Sequence, residues 1–458
     1  MNKLHLGTLA AALTLAGCSF VPTYERPTPP VPASFPAALA GTASSPLAVD
    51  QGWREFFKDA RLLRLIDIAL QNNRDLRVAM LNIEQTRAQL QLRRADELPT
   101  VNAGMGLTRG PNTAGATIST TTVGLSVTAY ELDLFGRVRS LSQAAQAQLL
   151  GTEEALKTVQ MSLIASVAST YLSLLADDEL LRITRGTLAT RAQSLKLTQL
   201  KVDNEAASKL DLVQAQSLAE SAKGSLAQFT RQRALDENAL VLQLGQPLPT
   251  NLPQGKALLE QELMPNLPVG LSAEVLVNRP DIRQAEQALL ASNANIGAAR
   301  AAFFPRITLT GSAGAVSSDL ENLFGGGTSA WTFVPQLLLP IFDAGRNQAN
   351  FEASKVAREI ALAQYEKAIQ TGFREVSDAL ASRASLGEQQ RAQVAQLDAE
   401  KTRLHLVDLR FQHGAANSFE LLDAQRSLFA AQQALMQVQV QQQQSLVTLY
   451  KVLGGGWK

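Results

Sequence analysis

At 458 residues, with 46% hydrophobic but only 5% aromatic and 18% charged content, the chain is able to bury one large core or several from small, helix-favouring residues. Its 42 Lys and Arg nearly balance its 41 Asp and Glu, so it has no basic field to hold nucleic acid, and that partner is excluded. Cys18 is the sole cysteine, which excludes an internal disulfide and a thiolate metal centre.

The chain begins with a leader. Lys3 precedes an apolar stretch from Leu4 to Leu15, then Leu15-Ala16-Gly17-Cys18. The stretch is too short to cross a bilayer and reads as a signal peptide over residues 1–17. Leu-Ala-Gly-Cys resembles a bacterial lipobox, which implies lipidation of Cys18, palmitate included, and Ser19 in place of Asp resembles an outer-membrane address. No run of roughly 18 apolar residues follows, so no spanning helix is expected. Residues 18–52 form the anchor and a spacer kept extended by Pro22, Pro27, Pro29, Pro30, Pro32 and Pro36.

A first copy of the main structure is predicted over 53–250. Helical spacing runs from about Trp53 to Asp96, with Leu62, Leu65, Ile66, Ala69 and Leu70 on one face. At Pro99 the period changes to two. A strand over about 98–108 sets Val101, Ala103, Met105 and Leu107 against small or polar neighbours, and the polar loop Arg109–Thr117 follows. A second strand over about 120–132 does the same with Val123, Leu125, Val127 and Ala129. Two helices follow, over about 137–203 and 208–244. Leu156, Val159, Leu163, Val167, Tyr171 and Leu174 form a seam on the first, and the tight turn Asp203–Ser208 joins the two. The first helix spans about 100 Å at 1.5 Å per residue.

A linker over 251–270 leads to a second copy over 271–458. Strands are predicted over about 305–316 and 329–341. Ile307, Leu309, Ala313 and Ala315 share a face of one, and Trp331, Phe333, Leu337 and Leu339 a face of the other. Trp331 and Phe333 fit an aromatic girdle. Pro335 removes a ladder hydrogen bond and argues for a bulge or an early end. The loop between these strands holds Gly325-Gly326-Gly327, which reads as a flexible outer connection. Helices over about 346–412 and 418–453 flank the turn His413–Ser418, with Ser208 and Ser418 as candidate N-caps.

The copies are related by sequence. Asp281-Ile282-Arg283 and Pro305 follow Asp75-Leu76-Arg77 and Pro99 by 206 positions, while Gly345-Arg346, Ala415, Ala424-Gln425 and Leu453-Gly454 follow their counterparts Gly136-Arg137, Ala206, Ala215-Gln216 and Leu244-Gly245 by 209. An offset held over so many positions is duplication, and the unit far exceeds the ~20–50 residues of a solenoid repeat. Strands of ~9–11 residues with one apolar face suit a membrane β-barrel. Four strands cannot close one, and an open edge in lipid leaves backbone groups unsatisfied. The expected fold class is therefore mainly α with a membrane β-barrel: a trimeric 12-stranded β-barrel continued by a 12-helix α-barrel, with two structural repeats per chain.

The segments Asn278-Arg279-Pro280-Asp281-Ile282-Arg283-Gln284-Ala285-Glu286, Ala302-Phe303-Phe304-Pro305-Arg306-Ile307, Phe411-Gln412-His413-Gly414 and Glu420-Leu421-Leu422-Asp423-Ala424-Gln425-Arg426 resemble TolC-type outer-membrane factors. Within that group the lipobox and the Arg-Pro-Asp-Ile segment resemble the lipoproteins of RND-type tripartite efflux systems. The resemblance implies a homotrimeric passive exit duct in outer-membrane lipid. Its partners would be a periplasmic adaptor protein and an inner-membrane RND-type transporter. A type I secretion exit channel and a periplasmic lipid-anchored coiled-coil adaptor are the alternatives; an adaptor needs only one helical hairpin and no membrane-type strands.

Site residues follow from the same resemblance. Glu420 and Asp423 stand three apart on one helical face, where related channels line a periplasmic gate with acids. A threefold ring would favour cations and raise some of its own pKa values by like-charge repulsion. The bland reading is a helix start where acids suit the dipole. Copy one has Asp211 with Gln214 at the corresponding place, and Ala416 occupies a spot where some relatives carry a gate-locking Arg. The turn residues Asn204, Glu205, Ala206, His413, Gly414 and Ala415 are the expected adaptor-contact tips, or else plain helix connections. No cofactor, metal site or catalytic set is expected, because His405 and His413 lie without a ligand cluster and His5 leaves with the leader. The chain is read as no enzyme.

Overall fold

A computed structural model describes residues 20–35, 52–111, 113–261, 263 and 273–457. Cys18, Ser19 and the signal segment lie outside the described residues. The helices are α1 (Trp53–Phe56), α2 (Ala60–Asn72), α3 (Arg74–Ala95), α4 (Arg137–Asp203), α5 (Lys209–Leu244), α6 (Pro280–Ala301), α7 (Arg346–Gln412) and α8 (Ser418–Val452). The strands are β1 (Val101–Pro111), β2 (Thr117–Leu132), β3 (Arg306–Ser317) and β4 (Ser329–Leu338). Helix, strand, strand, long helix, turn, helix therefore occurs twice, and α4 and α7 are each unbroken over 67 residues.

The chain forms two compact units. One comprises Met1–Pro29, Leu81–Glu154 and Arg283–Ala368. It holds a single antiparallel sheet in the order β1-β2-β3-β4. Register brings the apolar positions onto one face: Val101 faces Val127, Leu125 faces both Ala103 and Ala313, and Ala313 faces Trp331. In the same unit an extended segment lies along α6. Arg26 grips Glu286 with Nε and Nη2 at 2.7 and 2.8 Å, Asn293 Nδ2 donates to Pro22 O at 2.7 Å, and Phe20 stacks on Phe304 at 4.6 Å.

The other unit comprises Pro30–Met80, Ala155–Ile282 and Ile369–Lys458. Its core stacks Phe56 on Tyr450 at 4.1 Å, and Leu62, Leu65, Ile66, Leu172, Leu240 and Leu244 are buried in the same unit. Asp59 is the polar knot of this core. It caps α2 through the Arg61 and Leu62 amides, and its Oδ2 accepts from Tyr171 Oη, the Lys256 amide and Gln261 Nε2. Five donors on one buried carboxylate meet the cost of removing it from water.

Several local expectations are corrected. The helix predicted from Trp53 to Asp96 is three helices. It breaks after Phe56, where Asp59 restarts it, and at Asn73, whose Oδ1 accepts from the Leu76 amide at 2.9 Å while Nδ2 donates to Gln243 O at 2.9 Å. Of the bulge or early end expected at Pro335, the bulge does not occur there; a bulge lies instead on β2, between Val127 and Tyr130, where Ala129 takes φ 51°. The bulge moves Ala129 off the apolar face and gives its place to Tyr130, which pairs with Leu309. Pro335 pairs in register with Leu309, as a proline on an outer strand is able to, and β4 ends at Leu338. The cap of α8 is Asn417 and not Ser418. By length and average composition α4 does pass as a membrane span, with a mean hydropathy of 1.5 over an 18-residue window. Half of that window is buried inside the chain, as in a core helix, and its apolar residues are interspersed with Ser and Thr.

Candidate functional site: the helix-turn tips and the acidic helix start

Both tips end in left-handed residues that reverse the chain. Glu205 has φ 58° and Gly414 φ 71°, and the next amide folds back in each, Ala206 N to Lys201 O and Ala415 N to Arg410 O, both at 2.7 Å. The six tip residues Asn204, Glu205, Ala206, His413, Gly414 and Ala415 are all exposed. Lys201 Nζ sits 5.0 Å over the Phe411 ring, which brings the ends of α4 and α7 together.

Glu420 and Asp423 lie on the first turn and a half of α8, as their spacing implied, but they are not bare. Arg403 of α7 places Nη2 2.5 Å from Asp423 Oδ2, and Arg426, one turn along α8, binds Oδ1. Arg403 also reaches Ser427 Oγ and Glu400. Arg410 lies 3.4 Å from Glu420 and donates to Ala415 O, tying the tip to the acid. The upward shift expected of a threefold ring belongs to the assembly; within the single chain the Asp423 carboxyl is shifted the other way. The hydrogen bond from Arg403, helped by the charge of Arg426, holds its carboxyl below the ordinary range. Sequence reading missed these arginines, although a signal existed. In an antiparallel hairpin, residues equidistant from the turn face each other, and Arg403 and Asp423 are equidistant from His413.

Asp211 is differently occupied. It completes a capping box: Ser208 Oγ accepts from the Asp211 amide at 3.2 Å, and Asp211 Oδ2 accepts from the Ser208 amide at 3.1 Å. Among the described residues there is no His, Cys, Asp or Glu group suited to a metal ion. The second functional surface is the sheet. Trp331 is 76% and Phe333 61% exposed on the apolar face, and β1 and β4 each keep one edge without a partner strand among the described residues.

Comparison with known proteins agrees with this geometry. A family model described as outer membrane efflux protein matches twice, over residues 65–246 and 271–455. The solvent efflux pump outer membrane protein SrpC of Pseudomonas putida is 46% identical over 458 residues, covering 98% of this chain and 97% of that protein. Outer membrane protein OprJ of Pseudomonas aeruginosa is 43% identical over 472 residues, covering 100% and 97%. Among solved structures, the open state of the Neisseria gonorrhoeae MtrE outer membrane channel superposes with a TM-score of 0.90 at 41% identity, covering 96% of this chain and 99% of that one. A crystal structure of CusC gives 0.86 at 39% identity, covering 96% and 100%.

Proposed function

Because the chain belongs to the outer membrane efflux protein family and is the outer-membrane channel of a tripartite efflux pump, we propose how its parts share that work. The observation that carries the reading is the sheet: among the described residues it has four strands, one continuous apolar face and two unpaired edges. In lipid each unpaired edge costs several kcal/mol per unsatisfied group, and pairing β4 of one copy with β1 of the next removes that cost. Three copies supply twelve strands and close the wall. The matching family and the relatives are described as outer membrane efflux proteins; on the reading proposed here the duct is passive and the driving energy belongs to the inner-membrane transporter.

The exposed tips supply the contact with the periplasmic adaptor, and lipid on Cys18 tethers the chain to the outer membrane. Glu420 and Asp423 form the periplasmic gate, with Asp211 as the weaker counterpart in copy one. Arg403, Arg410 and Arg426 make its rim mixed in charge, which tempers the cation preference of a purely acidic ring. Relatives are named for solvent, toluene and antibiotic efflux. Small, largely apolar organic molecules are the cargo we propose.

The test is a heat-resistant trimer on a mild gel, followed by single-channel conductance in a planar bilayer. Asp423→Ala frees two guanidinium groups at the rim, so conductance rises and selectivity moves toward anions. Unchanged conductance and selectivity would remove the gate assignment, and a detergent-free soluble monomer would remove the duct.

A further inference from the structure

Away from the tips, the long helices hold a cation to which the channel reading gives no role. Arg191 of α4 is only 3% exposed, and no carboxylate among the described residues forms an ion pair with it. Its one hydrogen bond there runs from Nη1 to Leu218 O of α5 at 2.9 Å. The guanidinium lies 5.0 Å from the Phe429 ring of α8, and Nε is buried with no acceptor. A guanidinium has five N–H donors, and a ring face offsets some of its charge without accepting along its edge. Burial, with no charge set against it, draws its pKa below the ordinary arginine value. Arg279, 6% exposed, shows how this chain otherwise buries the same group: Nε and Nη2 donate to Asp281, Nη2 also to Glu375, and Nη1 to Val452 O.

The acids on the flanking stretches already have partners. Glu179 of α4 is held by Arg182, and Glu220 of α5 by Lys223. On α7, Asp398 is held by Lys401, Glu400 by Arg403, and Asp408 accepts from Gln412. On α8, Asp423 is held by Arg403 and Arg426, and no Asp or Glu follows it. Arg191 instead lines a cavity of about 290 Å³ between α4, α7 and α8. Ile183, Leu404 and Leu428 give the cavity an apolar wall, and Thr187, Gln425 and Gln432 give it polar groups. Gln425 Oε1 is buried without a partner, and a side-chain amide turns to offer either its oxygen or its NH2. Gly186 lines the same cavity. Glycine is disfavoured inside a helix, yet a Cβ here would meet nothing within 4 Å, so the missing side chain relieves no clash and leaves space open. Glu400 stands 209 residues after Arg191, so the cation is not part of the repeated framework.

We propose that this cavity binds a small organic acid as its anion, with the carboxylate on Arg191 and a short apolar body against Ile183, Leu404 and Leu428. A carboxylate matches the planar donors of a guanidinium and supplies the charge that burial demands. A neutral molecule of the same shape leaves the guanidinium unpaired. An inorganic anion leaves the apolar wall unused, whereas a pocket of apolar wall and few polar groups suits a ligand with both characters. Binding braces α4 against α8, because Arg191 lies on one and Gln425, Leu428 and Gln432 on the other.

The test is equilibrium dialysis of radiolabelled benzoate against the full-length trimer in detergent, with empty micelles as the blank. Benzoate is expected to bind saturably at one site per chain. Unlabelled benzoate should displace it, and equal concentrations of benzamide or inorganic phosphate should not. Arg191→Gln removes the charge and is expected to weaken binding about tenfold or more, as loss of a charge-assisted hydrogen bond does. Gly186→Leu fills the cavity with a better helix former, leaves Arg191 in place, and is expected to abolish saturable binding. If Arg191→Gln fails to assemble, Gly186→Leu answers the same question. The proposal is overturned if the parent binds no benzoate above the micelle blank, if benzamide or phosphate competes equally, or if an assembled variant binds as the parent does. None of these results bears on whether the protein is a channel.

Discussion

Glu205 and Gly414 occupy the same place in the two copies, and both backbones are left-handed. A side chain there costs roughly 1–2 kcal/mol that glycine avoids, so Glu205→Gly is expected to stabilise the first tip by about 1 kcal/mol. Slower exchange of the Ala206 amide, which donates to Lys201 O, measures this directly. If Glu205 is also an adaptor contact, the same change weakens adaptor binding while strengthening the turn. Asp423 makes a second residue-scale prediction. Its pKa is depressed by Arg403, so the stabilising pair is present above the ordinary carboxylate range and is lost only as pH falls through the folded value. Reversal potentials should therefore show no contribution from this group between about pH 5 and 8; a selectivity change in that window that Asp423→Asn abolishes contradicts the ion pair.

At the scale of elements, the sheet is shaped by a row of glycines. Gly104 pairs with Gly124, and Gly124 with Gly314, on the face opposite the apolar one. A Cβ on Gly314 would stand 2.0 Å from Val123 O, and one on Gly124 would stand 2.4 Å from Ala313 O. Backbone meets backbone there, so no side chain is able to yield, and β2 and β3 approach as only glycine allows. Gly314→Ala is accordingly expected to abolish the heat-resistant trimer on a gel, whereas Gly104→Ala, which has open space, should leave it intact. The long helices are consistent in another way. α5 ends in Gly245 at φ 68°, against the Asn72 carbonyl, so the cap that stops α5 also seats the break between α2 and α3.

At the scale of the whole molecule, an exposed apolar sheet face and two edges open among the described residues mean that the single chain leaves its sheet unclosed. Phe333→Arg puts a charge on that face. At the bilayer midplane this costs about 2–4 kcal/mol and less near the interface. The expected outcome is a reduced yield of membrane-inserted protein, read by fractionation, with α-helical content by circular dichroism retained. Equal insertion of the variant would mean that this face does not meet lipid.

The amino-acid sequence by itself determined the element types, the duplication and the acidic helix start, because these rest on period, spacing and offset within short stretches of chain. It placed Val101, Leu125 and Trp331 on apolar strand faces and set Glu420 and Asp423 one turn apart. Only the tertiary structure decided what those residues meet. Asn73 breaks a helix because Gln243, 170 residues away, accepts its amide. Ala129 leaves the apolar face because β3 pairs across a bulge, and Asp423 is held by an arginine from the opposite helix of its hairpin. Periodicity records which way a side chain points relative to its neighbours in sequence. Charge state and helix ends depend on partners brought from elsewhere in the chain, and local pattern carries no trace of them.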